Sequence, residues 1–335
     1  LNYIMSEIKY FIGIDIGGTK CTVSLSTIQL KIIKRIQFAT HTEKGPEYTI
    51  KEILKSIAEI KKKINYEKVK TVGISCGGPL NSKSGIILSP PNLPAWDNIP
   101  IVEIVENYTK RPTFIQNDAN ACAIAEWRYG AGIGTQNMIF LTFGTGLGAG
   151  LILNGKLYTG SNDNAGEVGH IRLEKEGPVG FNKPGSFEGF CSGSGIAKLA
   201  KIKAEEKLNK GSAVSYCASF DELHSITTLQ LSKLANLGDK DALEVFNISA
   251  RRLGHGLSIL IDILNPERIV IGSVYARNPH LFDAICNEVI LKESIAASRS
   301  VCNIVPAQLG DNVGDIASIC VAIDEYLTQL NNEYA

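Results

Sequence analysis

The chain has 335 residues, of which 44% are apolar, with 34 basic side chains balancing 34 acidic ones. That length suits two domains, each with a real core. Zero formal net charge excludes a general nucleic-acid-binding surface, which would be basic, and no apolar stretch is long and charge-free enough to span a bilayer.

Residues 9–15, 21–25 and 31–38 read as strands. Between the first two lies Asp15-Ile16-Gly17-Gly18-Thr19-Lys20, a tight turn whose glycines let backbone N–H groups approach an anion. Residues 47–64 carry Ile50, Ile53, Leu54, Ile57 and Ile60 at helical spacing, and Lys61-Lys62-Lys63 suits a solvated helix end. Residues 69–75 form a further strand running into Gly77-Gly78-Pro79. The proline-rich segment 89–96 is loop. A short helix over 101–108, a strand over 113–116 and an alanine-rich helix over 119–127 follow. Met138 opens a second unit of the same type, with Thr142-Phe143-Gly144-Thr145-Gly146-Leu147-Gly148 as its glycine turn. Helices over 195–207 and 241–264 come next, then a strand within 266–273 and a last helix over 313–330.

Two strand–turn–strand units followed by helices predict an α/β protein with two lobes and a cleft. The expected lobes are 5–118, with a helix at about 313–332 packing back on it, and 119–312. The two glycine turns are expected to face one polyphosphate. The eight cysteines are scattered without a CxxC pair, and no secretory leader is evident, which suggests reduced thiols and a cytoplasmic location. Leu1-Asn2-Tyr3-Ile4 precede Met5 and read as an expression scar or an upstream start.

Several motifs occur in a set order. They are Asp15-Ile16-Gly17-Gly18-Thr19-Lys20, Asn117-Asp118-Ala119-Asn120-Ala121, Thr142 to Gly148, and Gly166-Glu167-Val168-Gly169-His170. With Pro91-Asn92-Leu93-Pro94-Ala95-Trp96 and Asn265-Pro266-Glu267, they resemble the ROK family (repressor, open reading frame, kinase) of sugar kinases. The resemblance runs from about residue 11 to near the C-terminus. It implies a duplicated α/β fold of the actin/hexokinase/Hsp70-like (ribonuclease H-like) type, two-lobed with a central cleft. It also implies ATP-dependent phosphorylation of a hexose or hexosamine, and a homodimer.

Asp118 on position alone reads as a helix N-cap, but the resemblance makes it the general base that accepts the proton of a sugar hydroxyl. Asp15 is otherwise a turn residue; before Gly-Gly-Thr it is expected to hold Mg²⁺, directly or through water. Gly17, Gly18 and Thr19, with Gly144, Thr145 and Gly146, are expected to cradle phosphates. Lys20 assists, and Gly272 and Ser273 lie by the adenosine, Ser273 where the family often has glycine. Asn92, Asn117, Asp118, Glu167, His170 and Glu188 are expected to hold the sugar, with Gly78 shaping its floor.

Most ROK proteins carry a zinc-binding Cys-x-Cys-Gly-x-x-Gly-Cys-x-Glu run after the histidine. Here Val179, Phe181 and Ser186 replace the three cysteines. A structural zinc needs four ligands, which His170 alone does not supply, so no zinc is expected. Val179 and Phe181 are expected to replace the metal by apolar packing.

Glucose, at its 6-hydroxyl, is the default substrate; N-acetylmannosamine, N-acetylglucosamine, mannose and fructose stay open. The family also includes sugar-sensing repressors with an N-terminal helix-turn-helix domain. Only about nine residues precede the first strand here, so neither DNA binding nor a nucleic-acid partner is expected. A sensor without turnover fits poorly with an intact Asp118 and two phosphate turns.

Overall fold

Apolar side chains at Phe11, Ile12, Ile14 and Ile16 fill both faces of the first strand, β1 (Tyr10–Ile16), the pattern of a strand covered on two sides. The computed structural model describes residues 8–310 and 313–333. After β1 come β2 (Lys20–Thr27), β3 (Ile32–Ala39), α1 (Gly45–Lys61), β4 (Val69–Cys76), the short strands β5 (Leu80–Asn81) and β6 (Ile86–Ile87), α2 (Ile101–Thr109), β7 (Thr113–Asn117) and α3 (Asp118–Tyr129). The second half contains β8 (Met138–Leu141), β9 (Ala149–Leu153), β10 (Lys156–Tyr158), β11 (Val179–Gly180), β12 (Lys183–Pro184), α4 (Phe187–Phe190), α5 (Gly193–Leu208), α6 (Thr228–Asn236) and α7 (Lys240–Leu264). β13 (Arg268–Ile271), α8 (Ser273–Arg277), α9 (Asp283–Glu293), α10 (Ala296–Val301), β14 (Asn303–Pro306) and α11 (Val313–Glu333) complete it.

Among the described residues the chain divides into two compact units. One holds 8–130, 157–165 and 313–333; the other holds 131–156 and 166–310. The first unit's sheet has the order β3-β2-β1-β4-β7. β1 and β2 form an antiparallel hairpin, while β4 and β7 run parallel to β1. Ile53, Ile57 and Ile60 of α1 join Ile12, Ile14, Val72 and Ile74 in one core. A separate cluster joins Phe11 to Ile319, Ala322 and Ile323 of α11. α11 lies so close to β1 and β4 that a Cβ on Gly13 would meet Ser318 Oγ at 2.5 Å, and one on Gly73 would meet Ala322 N at 2.5 Å. Glycine at these two strand positions makes that approach possible.

The second unit's sheet, β10-β9-β8-β13-β14, repeats the pattern. β8 and β9 are antiparallel, and β8, β13 and β14 are parallel. Phe143, Phe246 and Tyr275 each contact the buried Phe282. α7 closes with Asn265 at φ 44° before Pro266, a left-handed cap followed by a residue that cannot continue the helix.

Two boundaries differ from the sequence reading. α1 begins at Gly45-Pro46 and stops at Lys61, with Lys62 as its C-cap, so the lysine run straddles the helix end. The helix that starts at Asp118 stays in the first unit instead of opening the second. Its alanine-rich surface is buried on both sides, and it packs with α11 and β7. Residues 157–165 also return to the first unit, where the Asp163 carboxylate accepts from the N–H and Oγ of Ser82 at 2.8 Å each.

Candidate active site

In the first unit the parallel strands end level. Ile16 is in register with Cys76, and Cys76 with Asn117. Carboxyl ends of parallel strands are where α/β proteins place ligand-binding groups, and Asp15, Gly77-Gly78 and Asp118 all lie there. The Gly78–Pro79 peptide is cis. The turn after β1 closes through Gly17 N–H donating to Lys20 O at 3.1 Å. Thr40, fully buried just after β3, braces it: its Oγ1 donates to Gly17 O at 2.5 Å and its N–H donates to Thr19 O at 3.0 Å. Gly18 lies against Asn92, whose carbonyl a Cβ there would strike, and Gly77 faces the Asn92 side chain. Asn92 therefore touches the glycine turn directly. Thr19 and Lys20 are exposed.

Asn117, not Asp118, caps α3. Its Oδ1 accepts from Asn120 N–H at 2.8 Å, which leaves that oxygen committed to the helix. Asp118 is the first helical residue, and its Oδ1 accepts from Ala119 N–H at 2.8 Å. Its side chain keeps contact with solvent, yet the protein crowded around it desolvates the carboxylate and raises its pKa, against the opposing pull of the Ala119 N–H. Asp15 is pushed up to about 6, first by desolvation, then by the charges of Asp315 and Asp118, with Lys20 and Arg35 opposing. Asp315, on α11, is itself held by Arg35 Nε at 2.7 Å.

In the second unit the turn 142–148 is pinned at several points. Thr142 N–H donates to Gly148 O at 3.0 Å, and Gly148 N–H donates to Thr142 Oγ1 at 3.0 Å. Gly193 N–H donates to Gly144 O at 2.7 Å, and Ser194 Oγ donates to Thr145 O at 2.7 Å, both from the start of α5. Leu147 N–H donates to Glu188 Oε2 at 3.0 Å, and the same oxygen would lie 2.7 Å from a Cβ on Gly146. The turn 166–170 docks on the same backbone: a Cβ on Gly166 would strike Ala149 O, and one on Gly169 would strike Leu147 O. Glu167 and His170 therefore stand on an element seated against the glycine turn, and both are exposed. Ser273 has φ 51°, the left-handed region in which glycine is unstrained, and its Oγ lies 3.6 Å from where a Gly144 Cβ would be. Gly272 packs beside Phe140 and the Thr142 carbonyl.

The sequence profile of the ROK family matches residues 11–325. The chain belongs to the ROK family. It is 32% identical over 268 residues to a glucokinase from Halalkalibacterium halodurans, covering 79% of this chain and 80% of that one. It is 28% identical over 328 residues to a xylose repressor from Caldicellulosiruptor bescii, covering 97% and 81%. The crystal structure of a ROK family glucokinase from Streptomyces griseus, in complex with glucose and AMPPNP, superposes with a TM-score of 0.73 at 28% identity, covering 95% of this chain and 100% of that chain. Those likenesses fix the fold as the α/β ROK hexokinase type.

The expected apolar substitute for the ROK cysteine run is corrected by the structure. Val179 is 42% exposed and Phe181 68%, so neither packs into a core. The segment is held by hydrogen bonds. Ser186, fully buried, caps α4 through Gly189 N–H at 3.1 Å. Gly185 N–H donates to Pro178 O at 3.1 Å, Gly185 O accepts from Leu173 and Glu174 N–H, and Lys198 Nζ donates to Val179 O at 2.7 Å.

The structure gathers Asp15, Gly17, Gly18, Gly78, Asn92, Asn117 and Asp118 at the carboxyl end of the first unit's parallel strands. It gathers Gly144, Thr145, Gly146, Glu167, His170, Glu188, Gly272 and Ser273 around one turn of the second. Sequence reasoning missed Thr40, Arg35 and Asp315. Thr40 gives no local signal, because only the pairing of Lys20 with Ala39 brings it to the turn.

Proposed function

We propose that this ROK protein transfers the γ-phosphoryl group of ATP to a hexose hydroxyl, with the 6-hydroxyl of glucose first among the candidates. The observation that carries the reading is Asp118: a carboxylate released from capping duty by Asn117, solvent-accessible, and with raised proton affinity. A general base works best when its pKa approaches the working pH, and phosphoryl transfer otherwise asks for positioning and charge neutralisation. Asp118 takes the hydroxyl proton as the sugar oxygen attacks.

Among the described residues no group of three or more His, Cys, Asp or Glu gathers to hold a metal ion. Asp15 would hold Mg²⁺ as one carboxylate with waters, the usual habit of that ion. The charges of Asp315 and Asp118, which help to push the Asp15 carboxyl up, are what a cation at Asp15 would offset. Bound Mg²⁺ supplies charge neutralisation on the phosphates. Gly17, Gly18, Thr19, Lys20, Gly144, Thr145 and Gly146 serve the phosphates, with Gly272 and Ser273 beside the adenosine. Asn92, Asn117, Glu167, His170 and Glu188 read the sugar over Gly78. The reading uses no zinc. It includes a homodimer in the cytoplasm; among the described residues, no helix is long and apolar enough to cross a membrane.

Support comes from the glucokinase relatives and from the neighbour that holds glucose and AMPPNP. The likeness to a xylose repressor favours a sugar-sensing regulator as the second reading. An ADP-release assay with Mg-ATP across glucose, mannose, fructose, N-acetylglucosamine and N-acetylmannosamine separates the two. Turnover with one sugar, and a phosphosugar seen by ³¹P NMR, supports the kinase. Sugar binding without turnover by any of them supports the regulator.

A further inference from the structure

The tip of the β11–β12 hairpin carries a residue that neither turn chemistry nor burial accounts for. Val179 pairs with Pro184 and Gly180 with Lys183, so Phe181 and Asn182 form a two-residue turn. Both have positive φ, 41° and 63°. Hairpin turns of this kind favour Asn and Gly at both positions. Asn182 obeys that rule; Phe181 does not, since a bulky side chain is disfavoured in the left-handed region. The ring gains no core in return, being 68% exposed. An exposed ring on a strained backbone points to a use outside the local chain.

Its neighbour is His170. The two ring centroids lie 5.8 Å apart at 70°, an edge-to-face contact. The same hairpin grips the His170 main chain, with Lys183 Nζ donating to His170 O at 2.8 Å. The hairpin is anchored in turn by Arg172 Nη1, which donates to Pro184 O at 2.8 Å. One short element thus holds both the backbone and the ring of an exposed histidine. An exposed imidazole without such a contact samples several rotamers, and each one lost on binding lowers affinity.

We propose that Phe181 is a positioning residue for His170, restricting the imidazole to the orientation that meets a sugar hydroxyl and so setting sugar affinity. The ligand's identity rests on the sugar-kinase reading; the ring contact does not. Phe181→Asn is the informative substitution, because asparagine suits positive φ and keeps the hairpin. Phe181→Tyr keeps the ring.

The readouts are the His170 ring signals in ¹H–¹³C NMR, the dissociation constant for each sugar of the panel by calorimetry, and the KM values for sugar and ATP. Phe181→Asn shifts the His170 signals and raises the sugar Kd and KM by about five- to twentyfold, on the order expected for losing one pre-ordered side chain. The KM for ATP stays within about twofold, the melting temperature does not fall, and Phe181→Tyr behaves as the parent. Unshifted His170 signals, or unchanged sugar affinity, overturn the proposal; so does an equal rise in both KM values. If the parent binds no sugar of the panel, the kinase reading fails separately, and the His170 signals still decide whether Phe181 orients that ring.

Discussion

Asp15 carries a stability cost that its proposed duty explains. Its pKa in the folded protein, about 6, lies above the ordinary 3.8. Between those values the folded state binds more protons than the unfolded chain, so stability falls as pH rises through that window. Replacing the charge by Asp15→Asn is expected to stabilise the protein at pH 7.5 by about 1–2 kcal/mol, discounted for its partial exposure, while Mg-ATP turnover is lost. Thermal melts at pH 7.5 and 4 check it: the gain should nearly vanish at the lower pH. A second residue-scale expectation concerns Thr40. Thr40→Val leaves the Gly17 carbonyl without its hydroxyl donor, so the KM for ATP should rise about tenfold, the kinetic equivalent of one buried hydrogen bond. Thr40→Ser should restore it, and the KM for sugar should stay put. Steady-state kinetics with each substrate varied would show whether the brace serves the phosphate side alone.

At the scale of elements, α11 fits closely on the first sheet. A Cβ on Gly73 would lie 2.5 Å from Ala322 N, among rigid backbone atoms, so Gly73→Ala must push the helix off. A loss of about 2–3 kcal/mol is expected, read as a lower urea midpoint at unchanged slope; an unaltered midpoint would mean that α11 is loosely seated. The same packing shows what the sequence could and could not reveal. The strands around both glycine turns, α7 and the start of α11 were legible because apolar spacing and Gly/Thr turns are local signals. The placement of α3 in the first unit was not, because an alanine-rich helix reads alike against any partner, and its contacts with α11, β4 and β7 assign it. Asn117 took the cap from Asp118 because both residues suit an N-cap and the choice depends on where the strand ends. Phe181 looked like a core substitute by residue type, yet it sits on a hairpin tip. The turn residues of the site were readable by position; their braces, Thr40 and the Glu188 oxygen on Leu147, arise from pairings between distant segments.

Over the whole molecule one pattern appears twice. Each unit offers a hairpin whose glycine turn is touched by a residue proposed to read the sugar: Asn92 against Gly18 in the first, Glu188 on Leu147 in the second. On the proposed reading, phosphate-side and sugar-side groups are therefore in direct contact within each unit. On the proposed reading, Asp118 converts that arrangement into chemistry. The decisive measurement is turnover beside sugar affinity in Asp118→Asn, which keeps the shape and the Ala119 hydrogen bond but cannot take up a proton. The account predicts a fall in kcat of about a thousandfold, within the usual range for a general base, with sugar affinity by calorimetry within a few-fold of the parent. A variant that binds sugar and still turns over at near the parental rate would contradict it.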